Sequence, residues 1–141
     1  MVVRRGTTLI EVGLVLALVA IVALIALPQV GRIRDRAFVR SATTDLLAAL
    51  TLARHSAIMR GQTIAVHFDT SAGRIVVAAD TQVISVHPMR RIYGVSMWTN
   101  RDSIAYNALG LGYGAANFSI KLTRGLAQDT VILSRLGRAR H

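Results

Sequence analysis

Apolar and polar positions follow two different periods along this chain, with the change near Gly61. From Leu9 to Leu27 every residue except Glu11 and Gly13 is aliphatic, and Pro28 closes the run. Those nineteen residues, at about 1.5 Å of helical rise each, span roughly 28 Å, close to the hydrocarbon thickness of a bilayer. Beyond Pro28, Phe38, Ala42, Leu46, Ala49, Leu50, Ala53, Ala57 and Ile58 recur at helical spacing. Arg36, Arg40, Thr44, Arg54, Met59 and Arg60 fall mostly on other faces, and Gly61 supplies a stop. The pattern predicts one helix from about Thr7 to Arg60, kinked or loosened near Pro28, which cannot donate the helical hydrogen bond. Its first half would face lipid or other subunits, and its second half would offer one stripe to a folded domain.

After Gly61 the period shortens to two. Thr63–Phe68 places Ile64, Val66 and Phe68 on one face; Asp69–Gly73 is a turn; Arg74–Ala79, Gln82–Val86 and Arg91–Met97 are further strands, with a break at His87-Pro88. The glycine-rich stretch Asn107–Asn117 is predicted as an irregular loop. Phe118–Leu122 and Thr130–Ser134 form a hairpin joined through Arg124-Gly125. The fold class is therefore α+β. A long N-terminal helix, membrane-spanning in its first half and amphipathic in its second, packs on a small antiparallel β-sheet domain.

The chain has 141 residues and no cysteine, which leaves room for one small domain and excludes both disulfides and thiolate metal sites. From Gln29 onward fifteen basic side chains face six aspartates. Such a balance points to an acidic partner: nucleic acid, a phospholipid surface or an anionic polymer.

Catalytic chemistry is not encoded in any recognisable pattern. Gly110–Gly114 lacks the lysine and Ser/Thr of a phosphate loop. His55, His67, His87 and His141 have no metal-ligand spacing and are expected at the surface or half-buried. Asp69, Asp80, Asp102 and Asp129 sit mostly in turn-like contexts. The expectation is a non-enzyme with no cofactor and no metal, in which Trp98 is a packing residue.

Arg4-Arg5-Gly6 followed by Thr7-Thr8-Leu9-Ile10-Glu11 precedes the apolar run. Ordinary secretory signals are cut after their apolar region, at small residues; here the only plausible cut lies before it, after Gly6. The arrangement resembles the leader of type IV pilins and pseudopilins. The resemblance implies that a prepilin peptidase cuts between Gly6 and Thr7 and that the helix stays on the mature chain. On the same resemblance Glu11 would pair with the N-terminal amine of a neighbouring subunit and set axial register. It also implies a leader at 1–6, a transmembrane and filament-core helix at 7–28, and a periplasmic domain at 29–141. The chain would cross the inner membrane once and enter a pilus or pseudopilus with other pilin subunits. Two features depart from that frame. Thr7 stands where most members have phenylalanine, and Arg32, Arg34, Arg36 and Arg40 follow the span against Arg4 and Arg5 before it, the reverse of the positive-inside bias.

Leu52–Gln62, with its Ala-Arg, Ala-Ile and basic residue before a turn, resembles the end of the long helix in the GspH/FimT group of minor pilins and pseudopilins. Ile104–Gly110, Phe118–Leu122 and a closing Gly-Arg follow the same group in order, although Ala108 replaces its usual proline. Gly137-Arg138-Ala139-Arg140 is similar to a terminal motif with which some FimT-like pilins contact DNA. Arginines at i and i+2 of an extended segment project to one side, and guanidinium binds phosphate bidentately. Lys121, Arg124 and Arg135 would extend the patch. No aromatic residue interleaves with these cations in the sequence, so base stacking is not expected. The functional expectation is a minor pilin of a transformation-type pilus that binds DNA non-specifically. The alternative is a minor pseudopilin of a type II secretion system with a structural role near the tip.

Overall fold

A computed structural model describes residues 8–80, 82–113, 117–134 and 139–140. Two compact units emerge, Met1–Arg34 and Asp35–His141. One helix, α1 (Leu9–Arg60), contributes to both. It is helical through position 28.

In the first unit the large aliphatic side chains of α1 are exposed from Leu9 to Ile25, and the segment is long and apolar enough to cross a membrane. In the second unit the same helix buries Val39, Ala42, Leu46, Ala49, Leu50, Ala53 and Ala57. Alanine dominates that stripe, which lets the helix approach the strands closely. Phe38 is half-buried and Ile58 exposed, so the real stripe is Val39-centred at its start and shorter at its end than the sequence spacing predicts. Gly61, at φ +61°, ends the helix; its N–H and that of Gln62 donate to the carbonyls of Ile58 and Ala57, both at 3.3 Å. A left-handed glycine cap of this kind satisfies terminal carbonyls at no side-chain cost.

Two antiparallel sheets complete the second unit. The five-stranded sheet has the order β3-β2-β1-β5-β6, built from β1 (Ile64–Asp69), β2 (Arg74–Ala79), β3 (Gln82–His87), β5 (Ser103–Tyr106) and β6 (Gly112–Tyr113). The four-stranded sheet has the order β4-β7-β8-β9, from β4 (Ser96–Thr99), β7 (Phe118–Arg124), β8 (Ala127–Leu133) and β9 (Ala139–Arg140). Ile64, Val66 and Phe68 face one core with Ile75 and Val77, and Phe118, Ile120 and Leu122 join it from the second sheet with Val131 and Leu133. The Phe68 and Phe118 rings, 5.0 Å apart, link the two sheets. The α+β architecture, a long helix packed on antiparallel sheet, agrees with the sequence reading.

Several local expectations are corrected. Arg91–Met97 is not one strand: Met89–Tyr93 forms a short helix, α2, and β4 begins only at Ser96. Gly94 at φ +63° breaks the extended run that alternation suggested, and its N–H caps α2 on the Arg90 carbonyl. The region Asn107–Asn117 is not wholly irregular, because Gly112–Tyr113 pairs with β5. The β7–β8 hairpin is longer than expected: Arg124 pairs with Ala127, and the turn is Gly125-Leu126, a two-residue loop with glycine first at φ +55°. Trp98 is 58% exposed rather than packed, since Met97 takes the inward position on β4.

Candidate functional site

At the start of α1, Thr8 is the helix cap. Its Oγ1 accepts the Glu11 N–H at 3.3 Å, and its carbonyl accepts the N–H groups of Glu11 and Val12 at 3.1 and 3.2 Å. Thr8-x-x-Glu11 is the spacing of a capping box, a signal legible in the sequence itself. It fixes where the helix begins and puts the one carboxylate of the apolar segment in the first turn, where the helix dipole favours it. Glu11 is exposed among exposed aliphatic neighbours. Gly6 and Thr7, the expected cleavage pair, lie outside the described residues.

The expected cations divide by strand parity. On β7, Phe118, Ile120, Leu122 and Arg124 share the inner face, whereas Ser119, Lys121 and Thr123 point outward. On β8, Val131 and Leu133 are inside, and Gln128, Thr130 and Ile132 are outside. Lys121 stands opposite Trp98 on one side and Thr130 on the other. Arg140, on β9, stands opposite Ile132 and is exposed. The structure therefore brings Lys121 and Arg140 onto one outer sheet face. Arg135, Gly137 and Arg138 lie outside the described residues.

Arg124 turns the other way. Its Nε is 2.9 Å from Asp35 Oδ1, its guanidinium lies 4.1 Å from the centre of the Phe38 ring, and it donates to the Tyr93 carbonyl. Glycines make this possible. A Cβ at Gly94 would sit 2.8 Å from the guanidinium, and one at Gly125 would sit 2.5 Å from Asp35 Oδ2. The charge of Arg124 is satisfied inside the fold, tying the β7–β8 turn and α2 to the helix, and it adds little to an outer patch.

A second clasp holds the edge of the five-stranded sheet. His87 Nδ1 lies 2.8 Å from Asp45 Oδ1, Ser85 Oγ lies 3.2 Å from His87 Nε2, and the Tyr93 hydroxyl donates to Asp45 Oδ2 at 3.4 Å. Desolvation, followed by the Asp45 charge, raises the Tyr93 pKa above its ordinary value. Ser85 and His87 meet because they are i and i+2 neighbours on one strand face. The group fastens β3 and α2 to α1. Elsewhere Arg36 and Arg40 border a groove of about 630 Å³ beside the β7–β8 turn, and Asp129 in its wall accepts the Thr43 hydroxyl at 2.8 Å. Among the described residues no cluster of three or more His, Asp or Glu could hold a metal ion.

Residues 42–137 match the family model described as type II transport protein GspH. The chain belongs to the GspH family. It is 46% identical over 80 residues to the type II secretion system protein H of Escherichia coli (strain K12); the match takes in 55% of this chain and 47%, about half, of that protein's length. The fold is similar to the minor pilin FimU of Pseudomonas aeruginosa, with TM-score 0.63 and 16% identity, covering 75% of this chain and 89% of that one. It is also similar to the minor pseudopilin EpsH of the Vibrio cholerae type 2 secretion system, with TM-score 0.57 and 16% identity, covering 72% and 94%. The chain is thus a GspH/FimT-like minor pilin or pseudopilin. Its N-terminal helix is long and apolar enough to cross a membrane.

Proposed function

We propose that this chain is a minor pilin, processed between Gly6 and Thr7 by a prepilin peptidase, whose helix joins the filament core while its domain captures DNA. It would cross the inner membrane once before assembly, with the domain in the periplasm. Glu11 supports the assembly role: one acid in the first turn of an otherwise uncharged apolar segment is costly in lipid and calls for a cationic partner. The amine freed at Thr7 of a neighbouring subunit has the right charge.

The observation that carries the DNA reading is the placement of Lys121 and Arg140 on one outer face, with Arg138 two positions before Arg140 in sequence, in a strongly basic chain. Binding through phosphates is largely independent of sequence and sensitive to salt. With about four cations engaged, the slope of log K against log salt is expected near −3.6. Replacing Arg138 and Arg140 together by glutamine should flatten it by about two and remove most binding. Titration of the detergent-solubilised full chain with duplex DNA at two salt concentrations tests this; equal retention by the double variant rejects the assignment.

A second reading has its own support. The Escherichia coli relative is a type II secretion protein, which favours a minor pseudopilin with a structural place near the tip of a short filament. Deleting the gene separates the two: loss of DNA uptake with normal secretion supports the first, and loss of secretion with normal uptake supports the second.

A further inference from the structure

We propose that the outer face of the four-stranded sheet is a stacking platform for single-stranded nucleic acid, with Trp98 as the base-contacting residue and Lys121 and Arg140 as its phosphate contacts. The proposal rests on the DNA reading above and gives it a strand preference. In sequence Trp98 lies more than twenty residues from either cation, but β4–β7 pairing sets it directly opposite Lys121. β8–β9 pairing then places Arg140 beside Ile132 on the same face.

Trp98 is an exposed indole on an otherwise mostly polar surface. Its surroundings are small or polar: Ser96, Ser119, Thr123, Gln128 and Thr130 all point outward and leave room for a chain to lie close. From Trp98 to Arg140 the face runs three strand spacings across and two residues along, about 16 Å. That track holds an aromatic ring at one end, a cation beside it and a second cation at the far end. Alternating π-face and positive charge is how unpaired strands are held, because bases stack on aromatic rings while phosphates meet Lys and Arg. A duplex offers its phosphates but keeps its bases stacked and turned inward, so it can use the cations and not the indole. A second copy of this chain is disfavoured as occupant, since it would bring the same cations against themselves.

The chain contains one tryptophan, so its fluorescence reports on the platform alone. The full chain in neutral detergent is titrated with a twelve-residue oligothymidylate, with a hairpin duplex of matched charge, and with inorganic polyphosphate. The single strand is expected to quench Trp98, while duplex and polyphosphate bind without quenching it. Trp98→Leu should weaken single-strand affinity on the order of tenfold, leave the other two nearly unchanged, and be largely reversed in Trp98→Phe. No quenching by oligothymidylate, equal quenching by duplex, or an equal effect of Trp98→Leu on all three probes overturns the platform. In those cases duplex binding that still depends on Arg138 and Arg140 leaves the electrostatic reading standing; binding of no probe removes both. Retained oligothymidylate affinity in Trp98→Leu with lost co-purification of sibling subunits assigns the face to filament contact instead, and also overturns the proposal.

Discussion

The two halves of α1 are a controlled comparison within one helix. Both are rich in aliphatic residues, yet Leu9 and Ile10 are 94% and 84% exposed while Leu46 and Ala49 are fully buried. The first half has apolar residues all round, and its large side chains are exposed. The second has them on one stripe, with arginines, Thr44 and Thr51 elsewhere, and that stripe is the floor of the core. Burial is therefore decided by how apolar residues are distributed around the axis, not by how many there are. A helix apolar on every side needs a solvent that is itself apolar, either lipid or the same helix in sibling subunits.

Substitutions in the two halves should accordingly fail different assays. The largest effect is expected from Glu11→Leu: incorporation into sheared filaments, followed by immunoblot, should be abolished, while the thermal melt of the detergent-solubilised chain stays as it was. A shifted melt would mean that Glu11 also supports the folded domain. In the second half Leu46→Ala should cost about 2–5 kcal/mol by chemical denaturation, whereas Leu18→Ala should change the same transition by less than about 0.5 kcal/mol. Equal losses would erase the contrast between the halves.

The same logic separates two cations on one strand. Arg124 faces inward to Asp35 and Phe38 and is largely covered, with 19% of its side chain exposed. Arg124→Met should then lose about 2 kcal/mol of stability, less than for a fully buried pair. Lys121→Met should lose little stability and weaken binding of polyanions instead. The smallest effect concerns the turn after β1. The carboxyl of Asp69 accepts the Ala72 N–H and the Ser71 hydroxyl, and these, with Arg74, hold its pKa at about 2, below the ordinary 3.8. Because the folded value is the lower one, its stabilisation is complete above the ordinary value and fades as pH falls through about 2. Asp69→Asn should slightly lower the melting temperature at neutral pH, with a difference that shrinks as pH falls towards 2 and disappears well below it, as thermal scans across that range would show.

Periodicity alone located α1, the first three strands and the β7–β8 hairpin, because buried faces repeat at 3.6 or 2 residues and these segments are long enough to display it. It could also have sorted Lys121 from Arg124, which have opposite parity on β7. It failed at Met89–Tyr93, where five residues are too few to show a helical period, and at the two-residue strand β6, whose existence depends on pairing with β5.

What the sequence determined by itself is the membrane-length helix with one acid in its first turn, the α+β class and the excess of positive charge; all are local or additive properties of the chain. Only the tertiary structure decided which cations remain on the surface and which lock the fold, and that Trp98 stands next to Lys121. Those relations join residues distant along the chain, and strand register, set by the burial of Phe118, Ile120, Leu122, Val131 and Leu133 on the opposite face, is what brings them together.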